Sequence, residues 1–227
     1  MSADGPRIVL ASASPRRRRL FAWYGIPYET TAVDVDESPD PALLANPSEV
    51  AAEIAGRKAA AASADRPDDL IVSCDTIVVL GTDILGKPVD IPDAERMLRQ
   101  LSGRVHQVVT GMALSVPGKT EPYLLSVVTN VHMHVLAEET IGTWIDEGEV
   151  LGCAGAYNIE RHLAWVDDDE CYQNVAGLPL CHLYALLEGV TDEWTAGLFG
   201  RPDEVCDASR GVFCKLGPCM LGHRPCR

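Results

Sequence analysis

Hydrophobic and polar positions change rhythm several times along the chain. The apolar run Ile8-Val9-Leu10-Ala11, closing on Ser12, reads as a short buried strand. It opens into Ser14-Pro15 followed by Arg16-Arg17-Arg18-Arg19. Serine suits a helix N-cap and proline the first helical position, so a helix is predicted here, closing at Gly25 with Leu20 and Phe21 inward. Residues 26–35 predict an extended segment. An acidic knot of Asp34, Asp36 and Glu37 follows, before the loop Pro39-Asp40-Pro41. From Pro47-Ser48 the spacing turns helical to about Ser63, with Val50, Ile54 and Lys58 at helical intervals. Residues 70–80 are apolar and β-branched apart from Ser73, Cys74, Asp75 and Thr76, and predict a buried central strand carrying a carboxylate.

The turn Gly81-Thr82-Asp83 then leads to Gly86-Lys87-Pro88. Residues 92–101 predict a helix with Ala94, Met97, Leu98 and Leu101 inward, stopped by Gly103. Strands at 105–116 and 123–136, joined through Pro117-Gly118-Lys119, predict an antiparallel pair. Residues 137–147 predict a helix burying Ile141, Trp144 and Ile145. A glycine-rich segment, 152–157, precedes a strand near 163–166, and a loop at 174–179 precedes a last helix over about 180–187. Alternating helices and strands define an α/β fold with a mixed sheet, without internal repeats or low-complexity segments.

Composition leaves that picture standing and narrows the partners. A chain of 227 residues suffices for one large domain, here expected over 1–190, with an extension at 191–227. The net charge of −14 argues against nucleic acid and anionic membrane as partners. The arginines at 16–19 run against this background. Positive charge in a first helical turn opposes the helix dipole, so they predict an anion nearby. No stretch approaches the roughly 20 apolar residues of a membrane span, and residues 1–6 do not form a signal peptide, so a cytoplasmic protein is expected. Cys74, Cys153, Cys171 and Cys181 read as buried thiols in apolar or small-residue surroundings. Cys206, Cys214, Cys219 and Cys226, with His223, crowd the extension without a C-x-x-C pair. A zinc ribbon is therefore not indicated; a metal-bound, a disulfide-stapled and a poorly ordered tail all stay open.

Two nucleotide signatures are absent. Gly118-Lys119-Thr120 ends like a P-loop, but Ala113 stands where its first glycine belongs. No G-x-G-x-x-G follows any strand. His132 and His134 alternate on one strand face with no third ligand near, and read as decoration. Asp75 is the stronger signal. A carboxylate inside a buried strand needs a cation or a metal, and α/β sites gather at such strand mouths. Proline after Lys87 fixes its turn and can aim its ammonium group.

Taken together the motifs are far more specific. Ser-Ala-Ser-Pro-Arg-Arg at 12–17, Asp34-x-Asp36-Glu37, Lys58, Asp75-Thr76 and Gly86-Lys87-Pro88 come in order. Ser102-Gly103-Arg104-x-His106-x-Val108-x-Thr110-Gly111, Ala154-Gly155-Ala156-Tyr157 and Asn174-Val175-x-Gly177-Leu178-Pro179 follow. Over about residues 7–190 this order resembles the Maf family of nucleoside triphosphate pyrophosphatases. The resemblance implies a mixed twisted sheet flanked by helices, Maf/inosine-triphosphatase-like, with the active site in a cleft at the strand ends. It implies hydrolysis of a nucleoside triphosphate to monophosphate and pyrophosphate with a divalent cation, Mg²⁺ or Mn²⁺, and a homodimer as the family-like state.

By that resemblance Asp75 is the proton acceptor. Ser12, Arg17, Lys58 and Lys87 surround the phosphates, and Glu37, with Asp75, holds the metal. Arg16, Thr76 and Glu160 match the three positions that separate a dTTP/UTP group from a 7-methyl-GTP group. Arg16 and Thr76 side with the pyrimidine group, whereas Glu160 replaces its glutamine and matches the methylated-guanine group. An amide can donate and accept towards uracil or thymine; a carboxylate only accepts, which suits the N–H groups of guanine. A solvent-facing Glu160 would read nothing, and Arg18 and Arg19 are expected on a solvated basic face. A non-catalytic nucleotide-binding regulator of cell division is the rival from another class.

Overall fold

The computed structural model describes residues 7–190, 199–210 and 214–222. Strand β1 (Ile8–Ala11) runs into α1 (Pro15–Phe21), where Ser14 accepts from the Arg17 N–H at 3.4 Å and Pro15 takes the first turn, as the sequence predicts. Gly25 closes this unit in the left-handed conformation at φ +69°. The extended stretch shrinks to β2 (Glu29–Thr31). Helix α2 (Pro47–Asp65) and strand β3 (Leu70–Leu80) follow, and β3 folds back on itself as β4 (Asp83–Leu85), a hairpin where the sequence predicts only a turn.

Helix α3 (Ile91–Leu101) leads to the antiparallel pair β5 (Val105–Ser115) and β6 (Tyr123–Met133). Helix α4 (Glu138–Asp146) buries Ile141 and Trp144, while Ile145 is only partly buried. Edge strand β7 (Ala164–Trp165), the short α5 (Tyr172–Val175) and α6 (Leu180–Val190) complete the expected elements. Helix α6 is not the last: α7 (Pro202–Arg210) and α8 (Leu216–Met220) continue into the extension.

The strands form one mixed seven-stranded sheet in the order β2-β1-β3-β5-β6-β7, with β4 on the edge of β3. β1 runs parallel to β2 and β3; the other pairings are antiparallel. Alternation along β3 sends Leu70, Val72, Cys74 and Val78 into a large core with α1, α3, α4 and α6. Ile71, Ile77 and Val79 face the alanine-rich side of α2. Helix α2 sits unusually close to the sheet. A Cβ built on Gly111 of β5 would meet the Ala51 carbonyl carbon at 2.1 Å, so only glycine fits there.

The sheet has a gap. β1 pairs with β3 only through Ser73, and β4 only from Val78 onwards. Among the described residues, Cys74–Ile77 therefore have no strand neighbour on that edge. Asp75 and Thr76 lie in this gap.

His132 and His134 clasp Trp165, with ring centroids 4.9 and 4.8 Å away, and so decorate the sheet end as expected. No helix among the described residues is long and apolar enough to cross a membrane.

Candidate active site

A cleft of about 910 Å³ opens at the gap in β3, past the end of β1. Its wall includes every singled-out residue: Ser12, Arg16, Arg17, Glu37, Lys58, Asp75, Thr76, Lys87 and Glu160. Residues spread over nearly 150 positions of chain meet there because β1, α1, α2, β3 and the turns after α4 all end on it.

On the α2 side the site is ionic. Asp75, 6% exposed, faces α2, and Lys58 lies two turns along that helix from the Ala51–Gly111 contact. Ser73, one side-chain repeat before Asp75, donates to the Ala55 carbonyl at 2.7 Å and pins the same helix. The Lys58 ammonium consequently reaches Asp75 Oδ1 at 2.6 Å, and it also contacts Glu37 Oε1 at 2.8 Å. Lys87 approaches the other Glu37 oxygen at 3.0 Å. Charges thus alternate from the cleft floor to solvent: Asp75, Lys58, Glu37, Lys87. Partial burial acts to raise the Glu37 pKa, but hydrogen bonds from Lys58 and Lys87 outweigh it and bring it down to about 2. The buried strand carboxylate has the cation its burial demands.

On the opposite side of β3 the site is hydrogen-bonded rather than ionic. Arg17 donates from Nη2 to the Thr76 hydroxyl and from Nε to the Gly177 carbonyl, both at 2.8 Å. Thr76 and Thr110 share a hydrogen bond of 2.9 Å, and Thr110 donates to the Asn174 carbonyl. Asn174 is fully buried and its Nδ2 donates to Val108 and Val127 carbonyls and to the Thr129 hydroxyl, tying α5 to β5 and β6. Ser12, 8% exposed, accepts from the Ser14 N–H at 3.2 Å.

The far end of the cleft holds Arg16, whose Nη1 reaches Cys153 Sγ at 3.3 Å, and Glu160. One contact here goes beyond the expectation. Arg19 is half exposed, as on a solvated face, but it also lines the cleft and hydrogen-bonds Glu160. Sequence spacing cannot foresee that contact, because it spans 141 residues. Arg18, by contrast, turns away and donates to the Ala13 carbonyl. Thr110 and Asn174 stand within sequence motifs, but the network they form is legible only in the fold.

The arrangement defines a class of site: a water-accessible cleft with a buried carboxylate, carboxylate-paired ammonium groups and an arginine-lined wall, suited to a polyanionic substrate. Residues 7–190 match the family described as Maf-like protein, and the chain belongs to that family. A dTTP/UTP pyrophosphatase of Geobacter sulfurreducens is 42% identical, over 78% of this chain and 93% of its own length. One from Pelotomaculum thermopropionicum is 41% identical, over 80% and 95%. Another from Myxococcus xanthus is 39% identical, over 86% and 100%. A solved nucleoside-triphosphatase / dITP/XTP pyrophosphatase from Mycobacterium abscessus aligns at 16% identity and TM-score 0.40, covering 56% of this chain and 74% of that one.

Proposed function

We propose that this Maf-family chain is a nucleoside triphosphate pyrophosphatase that converts a pyrimidine substrate of the dTTP/UTP kind to monophosphate and pyrophosphate. The reading is carried by the Asp75–Lys58 contact, buried at the cleft floor and extended outwards by Glu37 and Lys87. The pyrimidine preference is supported by relatives about 40% identical that bear that name, and by Arg16 and Thr76 in the cleft.

Asp75 accepts the proton of the attacking water. Lys58 holds its Oδ1, which leaves Oδ2 without a hydrogen bond among the described residues and open to that proton. The water oxygen bonds to the α-phosphorus, and the bond to the oxygen bridging to the β-phosphate breaks, releasing pyrophosphate. Lys58 and Lys87 offset the charge that builds on the phosphate oxygens, and Arg17, fixed at two of its nitrogens, flanks the same space. Glu37 and Asp75 are oxygen donors on the cleft wall, of the kind magnesium or manganese prefers. Lys58 and Lys87 hold Asp75 Oδ1 and both Glu37 oxygens, so a cation shared with substrate phosphates and water would require those lysines to turn to the phosphates. When bound it supplies Lewis-acid polarisation of phosphoryl oxygens.

Glu160 supports a second reading. As a carboxylate beside Arg19 it only accepts hydrogen bonds, which matches the N–H edge of 7-methyl-GTP better than thymine or uracil. Pyrophosphate release from dTTP, UTP, CTP, GTP and 7-methyl-GTP with Mg²⁺ or Mn²⁺ separates the readings. Fastest turnover of dTTP or UTP is expected. Fastest turnover of 7-methyl-GTP selects the second reading, and binding without release from any of them selects a non-catalytic regulator.

A further inference from the structure

Away from the cleft, the extension meets the domain at a group of thiols. We propose that Cys171, Cys181, Cys206 and Cys214 form a four-thiolate zinc site that clamps the C-terminal segment to the domain. Cys171 precedes α5 and Cys181 is the second residue of α6; Cys206 lies on α7 and Cys214 just before α8. Two thiols from the domain and two from the extension therefore line one cavity of about 20 Å³, room for a single water-sized occupant. A Cβ built on Gly217 would lie 2.9 Å from Cys181 Sγ and 3.9 Å from Cys214 Sγ, so sulfurs from the two parts of the chain flank one point.

The surroundings are built for negative sulfur. The Gly217 N–H points at Cys214 Sγ at 3.4 Å, and Gln173 Nε2 at Cys206 Sγ at 3.5 Å. A neutral thiol is a weak acceptor, whereas metal-bound thiolate rewards such donors. Gln173, 3% exposed and on the cavity wall, leaves its Oε1 without a partner among the described residues. A buried polar atom in that state marks a site still missing a component. Four sulfur ligands are a structural zinc set, and a segment of under 40 residues is too short to build its own core without such a staple. Among the described residues no three such side chains already stand ready around an ion. Binding must therefore draw the sulfurs in by side-chain rotation, to about 2.3 Å from the metal.

The test uses the full chain, purified without chelator under mild reductant. About one zinc per chain is expected by elemental analysis, with X-ray absorption giving an all-sulfur shell near 2.3 Å. Titration of the metal-stripped protein with Co²⁺ alone should give the intense visible bands of tetrahedral thiolate coordination. Cys206→Ser and Cys171→Ser are each expected to lose those bands, while Cys153→Ser and Cys219→Ser keep them. The wild-type spectra do not depend on whether a variant folds. A folded, reduced wild type that takes up neither ion, an oxygen- or nitrogen-dominated shell, or bands that survive in the Cys206→Ser/Cys171→Ser double variant would each overturn the site.

Discussion

Asp75 and Thr76 are neighbours on one strand, yet they project to opposite sides of the sheet and into opposite kinds of chemistry. The Asp75 side is a line of four charges whose outer members, Glu37 and Lys87, remain about half exposed. Such contacts exchange readily with water and with incoming phosphates, because exposed ion pairs contribute little stability. The Thr76 side is a chain of hydrogen bonds through Arg17, Thr110 and Asn174 that ends in a fully buried amide. Its members have nowhere else to turn, and an unmade bond there costs about 1–3 kcal/mol. One strand thus supplies both an adjustable charged surface for the reaction and a rigid frame that holds it in place.

The strongest way to break this division is Asp75→Asn. Turnover is expected to fall by about 10³-fold or more with the circular dichroism spectrum unchanged, since a positioned base supplies about 10²–10⁴-fold. Full activity in a folded variant would remove Asp75 from the chemistry. Gly111→Ala attacks the seat of α2 instead. The added methyl runs into the Ala51 backbone, and denaturant unfolding should show a loss of about 3 kcal/mol together with weaker activity as Lys58 shifts from Asp75.

Acid should separate the two sides. His106, buried and hydrogen-bonded to Tyr157 at 2.7 Å, lies on the Thr76 side, and burial lowers its pKa to about 4. The unfolded chain takes up that proton below about pH 6.5, the folded chain only near pH 4. Stability is therefore complete above pH 6.5 and falls by up to about 3 kcal/mol as pH drops through that window. Glu37, held low by its lysines, contributes above about pH 4.5, and its smaller, solvent-screened share is lost only as pH falls towards 2. Burial lowers His182 to about 4 as well, so melting temperatures across pH 3–7 should show the upper step reduced, not abolished, in His106→Gln relative to the wild type.

Thr76→Val is expected to cost about 2 kcal/mol, leaving Arg17 and Thr110 each short of a bond, and to lower activity mainly through misplacement of Arg17. A smaller change is expected at the far end of the cleft. Glu160→Gln should shift the ratio of dTTP to 7-methyl-GTP turnover about tenfold towards dTTP, roughly 1.4 kcal/mol. An unchanged ratio would mean that Glu160 serves Arg19 rather than the base.

Much of this site is legible in the chain. A lone carboxylate in an apolar strand has to find a cation, and Lys58, on the apolar-facing side of the next helix back, is the residue whose spacing delivers one. The Ser14-Pro15 cap is equally readable, because capping depends on three or four consecutive residues. Contacts across long stretches are not. Arg19 and Glu160 meet only after the sheet has brought α1 beside the turn at 159–161, and periodicity is silent about such encounters. The β4 hairpin was hidden for a related reason: three residues are too few to set a rhythm. Cysteine spacing within the extension is equally silent about its neighbours, since half of the thiols that meet there come from the residue before α5 and from α6.

The sequence by itself determined the α/β alternation, the buried carboxylate, the capped arginine helix and the family. These follow from local spacing and from motifs that persist in order. Only the tertiary structure decided that β1 stops at Ser73's partner and β4 starts at Val78, leaving Asp75 and Thr76 in an open edge. It alone decided that Gly111 lets α2 close onto the sheet, and that the extension's thiols face those of the domain. The physical reason is common to all three. Register, close approach and docking are set by which surfaces exclude water together, and that is a property of the packed chain rather than of any one segment.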